Sequence, residues 1–166
     1  MTFSYKEFES PVGKLKLVAS ANALVGVLWA PDDGERFGPG AQEFDAHHPI
    51  LVRTERQLIE YFAGKRTDFE LPLEPRGTEF QKKVWASLTT IPFGKTRSYR
   101  DIAIGIGSPR ACRAVGSANG KNPLPIVVPC HRVVGTNGAL TGFNGGVETK
   151  AKLLAFERDR VCTHIK

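Results

Sequence analysis

Apolar and polar residues partly alternate over Phe3, Tyr5 and Phe8, and Pro11-Val-Gly13 then reads as a turn. Leu15 and Leu17 alternate with lysines, and Ala23-Leu-Val-Gly-Val-Leu-Trp29 is a more continuous apolar run. Runs of this kind bounded by turn residues predict three short strands in an antiparallel meander. Pro31 to Gly40, rich in Pro, Gly and Asp, predicts a loop. From Pro49 to Phe62 the positions Ile50, Leu51, Leu58, Ile59 and Phe62 allow a helix, with Gly64 beyond it as a C-terminal stop. His47 and His48 precede that helix without a metal-binding cluster around them, and are expected to be solvated.

The pattern changes after Thr67 to Gly77, where prolines at 72 and 75 mark a candidate boundary. Thr78-Glu-Phe-Gln81 is a capping box, and Phe80, Val84, Trp85 and Leu88 fall on one helical face. Ile91-Pro-Phe-Gly94 ends that helix. Ser98-Tyr-Arg-Asp101 repeats the capping pattern and opens a short helix through Ile106. Gly107 breaks it, Ser108 caps again, and Pro109 takes the first position of a third helix running to about Ala118. Asn119-Gly120 reads as a left-handed stop. Two short helices across a Gly-containing turn form a helix-turn-helix. The second is rich in small residues, with Arg110, Arg113 and Ser117 sharing one face. A final helix spans Val147 to Glu157, and Arg158 to Lys166 reads as an unconstrained tail. The expected organisation is a scaffold domain at 1–76 and a second domain at 77–166.

Charge divides the chain along the same line. Residues 1–75 hold 8 Lys/Arg against 12 Asp/Glu, and residues 76–166 hold 15 against 5, within an overall +6. A basic half on an acidic one points to a polyanion as partner. Hydrophobic content of 41% is that of a globular protein. No apolar run approaches a membrane span, and the N-terminus lacks a signal-peptide core. Three cysteines, at 112, 130 and 162, have neither disulfide nor zinc spacing, which suits a reducing cytoplasm. No metal and no cofactor is expected.

The chemistry concentrates in Asn122-Pro-Leu-Pro-Ile-Val-Val-Pro-Cys-His-Arg-Val-Val-Gly135. Prolines at 123, 125 and 129 bar a regular helix and a central strand, leaving a stiff buried connector that ends in a thiol. An imidazole and a guanidinium follow Cys130 directly, offering cations to stabilise a thiolate. Adjacent side chains of an extended segment point to opposite faces, so Cys130 and His131 are not expected to touch. Beyond them, Leu140-Thr-Gly-Phe-Asn-Gly-Gly146 is a glycine-rich loop able to lie against a flat ligand.

Pro-Cys-His-Arg-Val, with its flanks from about Gly77 to Glu157, resembles the O6-alkylguanine-DNA alkyltransferases, single-turnover DNA repair proteins. The resemblance implies an α+β fold: a small N-terminal antiparallel sheet plus helix, ribonuclease-H-like, then a mainly helical domain with a winged helix-turn-helix. It implies transfer of an alkyl group from O6-alkylguanine in double-stranded DNA, with O4-alkylthymine a second candidate, to Cys130 of a monomeric protein. His131 would work through a water and be oriented by Glu157. Tyr99 would donate to the guanine ring nitrogen, and Asn122 would tie the thiol segment to the recognition helix. Arg113 would fill the gap left by the flipped base, with Arg110 and Ser117 on the same DNA-facing helix. Backbone groups of Cys130 and Val133 would read the exocyclic amine. Phe143 and Asn144 would close the pocket, Phe143 keeping an apolar wall where relatives often carry tyrosine. His131 and Glu157 are expected to lower the pKa of the thiol. Other classes fit less well. A cysteine hydrolase needs its base on the sulfur, a helix-turn-helix regulator leaves Cys130 idle, and a lesion-binding relative without repair lacks the reactive cysteine.

Overall fold

The computed structural model describes residues 2–29, 42–140 and 146–164, and the side chains of 162–164 are outside the description. Two compact units divide the chain, Met1–Arg76 and Gly77–Lys166.

The first unit is a four-stranded sheet with a helix against it. Strands β1 (Phe3–Ser10), β2 (Gly13–Ala19) and β3 (Leu24–Trp29) form the antiparallel meander, with a register shift at Val18/Ala19. A fourth strand, β4 (Gln42–Phe44), pairs parallel to β1 and gives the order β3-β2-β1-β4. Three residues of intermediate or full exposure carry no alternation to betray a strand, so sequence patterning missed it. Gly13 takes φ +114° at the first hairpin, a conformation that side chains disfavour. Phe3, Val18, Val25 and Leu28 form a buried cluster, and α1 (Pro49–Phe62) packs on β1, β2 and β3. His48 is not a solvated residue. It is buried, and its Nδ1 accepts from the Ile50 N–H at 3.1 Å, capping α1 where Ser or Asp would normally serve.

The candidate boundary segment is bound into this unit. Leu24 N–H donates to the Pro72 carbonyl at 2.8 Å, and Glu74 N–H donates to the Leu24 carbonyl at 2.9 Å. The Gln57 amide clamps both backbone groups of Glu70, at 3.0 and 2.9 Å.

The second unit is mainly helical. Helix α2 (Glu79–Leu88) starts at the Thr78–Gln81 capping box and buries Val84, Trp85 and Leu88. Helix α3 (Tyr99–Gly105) starts at the Ser98–Asp101 box. Helix α4 (Cys112–Gly120) departs from expectation at both ends. Ser108 to Ala111 is a turn closed by Ala111 N–H to the Ser108 carbonyl at 2.9 Å, so Pro109 and Arg110 precede the helix. Its other end runs through Asn119 and Gly120, neither of which is left-handed. Asn119 is buried and spends its amide on a distant carbonyl, and that bond overrides its local preference for a stop. Strand pairing described in this unit is a two-residue parallel ladder of β5 (Arg97–Ser98) with β6 (Val133–Val134), and a wing is not among the described elements. Helix α5 (Val147–His164) continues past Glu157, so residues 158–164 are helical and not a loose tail.

Candidate active site

The segment before Cys130 is held by side-chain amides. Asn122 Oδ1 accepts from Leu124 N–H at 3.0 Å, and its Nδ2 donates to the Val128 carbonyl at 2.8 Å. Ile126 takes φ +73°, an outlier for a β-branched residue and a point of stored strain. Pro129, at φ −80° and ψ 66°, makes an inverse γ-turn closed by Cys130 N–H to the Val128 carbonyl at 2.8 Å. Cys130–Arg132 then forms a single 3-10 turn, not extended chain. The Cys130 carbonyl accepts from Val133 N–H and from Asn119 Nδ2 at 3.3 Å, so helix α4 is bonded to the peptide of the thiol residue.

His131, Arg132 and Glu157 form a buried array. His131 Nε2 lies 2.7 Å from Glu157 Oε2. Arg132 donates from Nε to Oε1 at 2.8 Å and from a terminal nitrogen to Oε2 at 2.9 Å, with its other terminal nitrogen on the Ile91 carbonyl at 2.6 Å. Gly94 N–H adds a bond to Oε1 at 3.3 Å. Burial alone would raise the Glu157 carboxyl, but the hydrogen bonds from His131 and Arg132 and the charge of Arg132 outweigh it and hold the pKa at about 2. Burial lowers the His131 pKa, helped by the charges of Arg132 and Lys150, against the pull of Glu157. No hydrogen bond joins Cys130 to His131 among the described residues, and His131 Nδ1 is buried without a partner there.

Two expectations about charge are corrected here. Burial pushes the Cys130 thiol up to about 11, and its counterweights are the Asn122 hydrogen bond and the Lys150 charge rather than His131 or Glu157. Arg132 is spent on Glu157. Lys150, which sequence reasoning passed over, has no exposed surface and places Nζ 3.5 Å from the Tyr99 hydroxyl. Its signal was helical spacing: Lys150, Leu153 and Glu157 recur at i, i+3 and i+7, and all three are buried. Asn119 was likewise missed as a partner of Cys130.

The remaining candidates divide by exposure. Arg110, Arg113 and Ser117 are exposed, with Arg110 ahead of α4 rather than on it. Tyr99 is half-buried, and a Cβ added at Gly116 on α4 would lie 3.8 Å from its ring. Val133 is buried. Phe143 and Asn144 lie outside the described residues. A cavity of about 560 Å³ is lined by Gly94, Val134, Leu140, Leu154 and Glu157, and Cys130 is not part of its lining. Among the described residues no cluster of His, Cys, Asp and Glu is suited to a metal ion, and no helix is long and apolar enough to cross a membrane.

These features define an α+β protein of two units whose second carries a buried thiol backed by a histidine–glutamate–arginine array. Residues 4–75 match the family description "6-O-methylguanine DNA methyltransferase, ribonuclease-like domain", and residues 79–159 match its "DNA binding domain". The chain belongs to the 6-O-methylguanine DNA methyltransferase family. It is 46% identical over 156 residues to the constitutive methylated-DNA–protein-cysteine methyltransferase of Bacillus subtilis, covering 93% of this chain and 94% of that one. It is 44% identical to the Methanosarcina acetivorans protein of the same function name, covering 92% and 97%. A solved structure of Mycobacterium tuberculosis OGT in complex with DNA aligns with a TM-score of 0.85 at 41% identity, covering 96% of this chain and 94% of that one. The resemblance carried by Pro-Cys-His-Arg-Val and the α+β class are borne out.

Proposed function

We propose that this chain is a DNA repair protein that moves an alkyl group from O6 of guanine in DNA onto its own Cys130, once per molecule. The observation that carries this reading is the buried Cys130 at the tip of a braced segment, backed by His131 and Glu157, in a chain whose relatives are named for that transfer. The step is a displacement. A sulfur electron pair forms the S–C bond, the C–O6 bond breaks, and its electron pair passes into the guanine ring, which takes up a proton.

Each side chain has a part in that step. His131, neutral in its resting state, takes the thiol proton through a bridging water while Glu157 holds the ring. Lys150 lends positive charge to the forming thiolate, and the Tyr99 hydroxyl beside it donates to the ring nitrogen of the departing guanine. Asn122 fixes the thiol segment. Backbone groups of Cys130 and Val133 read the exocyclic amine, and Phe143 and Asn144 are assigned to the guanine pocket. Arg113 fills the stack when the base is flipped out, at a cost of roughly a few kcal/mol, with Arg110 and Ser117 beside it against the backbone. A thioether is not cleaved by water at neutral pH, so turnover stops at one. The reading places the protein in the cytoplasm as a monomer. A non-catalytic helix-turn-helix protein would leave the buried array without use.

The test is intact-mass analysis after mixing with duplex DNA containing O6-methylguanine. One methyl group per chain, mapped to Cys130, is expected. An adduct on Cys112 or Cys162, or several turnovers per chain, would overturn the reading.

A further inference from the structure

We infer that Arg132 is a positioning residue for the transfer: by holding both oxygens of Glu157 it fixes the His131 ring with its proton on Nε2 and its lone pair on Nδ1. The inference rests on the alkyl-transfer reading only for its rate measurement.

The hydrogen-bond inventory of Glu157 carries it. An ionised carboxylate accepts and cannot donate. Arg132 lies fork on fork across the carboxylate, at 2.8 Å on Oε1 and 2.9 Å on Oε2, and its bond to the Ile91 carbonyl stops the fork from swinging away. Gly94 N–H adds to Oε1, so the approach left for His131 is the one it takes, Nε2 on Oε2 at 2.7 Å. Nε2 must carry the hydrogen of that bond. A neutral ring then has a bare lone pair on Nδ1, and that atom is enclosed without a protein partner among the described residues.

The surroundings disfavour a second proton. The charged groups around His131 are Glu157 and Lys150 from α5 and Arg132 on its own turn. Helix α2 also packs on this turn, but it buries Val84, Trp85 and Leu88 and leaves Glu79, Lys82 and Lys83 exposed. Two buried cations therefore oppose one carboxylate, and a protonated Nδ1 would be a buried unpaired donor. Without Arg132 one cation, Lys150, is left against one carboxylate, and the opposition to a second proton weakens. Among the described side chains Glu157 would then keep the His131 ring and draw a proton onto it at higher pH, so Nδ1 would cease to be an acceptor sooner as pH falls.

Nitrogen-15 NMR of histidine-labelled wild type at neutral pH reads the tautomer directly, and Nδ1 is expected unprotonated with Nε2 protonated. The pH–rate profile for inactivation by free O6-benzylguanine then compares wild type with Arg132→Met and Arg132→Lys. In Arg132→Met the acid limb should move up by about one pH unit, a roughly tenfold loss of rate on that limb. Arg132→Lys keeps the charge without the fork, so its limb should lie below that of Arg132→Met at a reduced plateau rate. Superimposable limbs in folded variants, or Nδ1 protonated in the wild type, would overturn the assignment. If Arg132→Met does not fold, the wild-type tautomer decides. A wild type that forms no Cys130 adduct would refute the transfer reading and leave the tautomer measurement standing.

Discussion

Lys150 has no exposed surface, so its charge acts inside the protein, where screening by water is weak. Lys150 sits against the Tyr99 hydroxyl and acts on a thiol that burial has pushed up to about 11. Lys150→Met should raise that pKa further, so the alkaline rise in Cys130 reactivity begins at higher pH. A rise of about one pH unit in that onset means a roughly tenfold loss of reactivity at neutral pH, read by iodoacetamide labelling of Cys130 across a pH series. The same cluster governs acid stability. His131 has its folded pKa below the ordinary 6.5, so the unfolded chain takes its proton first and the stability this neutral ring contributes is lost as pH falls below that value. Glu157 has its pKa lowered from 4.5 to about 2, so its contribution is full above 4.5 and is lost as pH falls toward 2. Urea midpoints should therefore decline in two stages, the first starting near neutral pH. His131→Gln should remove the first stage and leave the second.

Elements were legible in the sequence where their determinants lie within one turn of each other. Both capping boxes place donor and acceptor three residues apart, and α2 and α3 begin where those residues stand. Strand β4 was not legible because its pairing with β1 is the only thing that makes it a strand. The start of α4 misled for a different reason: Ser108-Pro109 suits the first turn of a helix and equally a β-turn, and the chain uses the turn. At the site, Cys130, His131 and Glu157 were legible from one motif and its flanks. Asn119 and Lys150 were not, because a bond from α4 to the Cys130 carbonyl and a buried ammonium are products of tertiary packing. Helix α4 carries a prediction of its own. Arg113 is exposed on it and touches none of the buried array, so Arg113→Ala should slow repair of duplex DNA about a hundredfold more than reaction with free O6-benzylguanine. That ratio corresponds to about 3 kcal/mol, on the scale of unstacking one base. Equal loss on both substrates would assign Arg113 to the chemistry instead.

The whole molecule joins an acidic first half to a basic second one. Lys83, Lys95, Arg97, Arg100, Arg110, Arg113 and Lys121 are exposed in the second unit, whereas Arg76 is paired with Glu74. DNA affinity should accordingly fall with salt by a slope of roughly −0.9 per phosphate contacted, and Arg76→Ala should leave that slope unchanged. A titration series between low and physiological salt would measure both. Every residue from Asn122 to Val133 is buried, so an alkyl group added to Cys130 enters close-packed space. Inserting carbon into a packed interior costs about 1–3 kcal/mol, and the strained turn at Ile126 lies four residues away in the same segment. The alkylated chain should melt several degrees below the unreacted one and be cut faster by a protease, the benzylated form more so than the methylated. A protein that reacts once would then shorten its own lifetime by reacting, and cells would clear spent copies by the ordinary triage of unstable folds, with no dedicated signal.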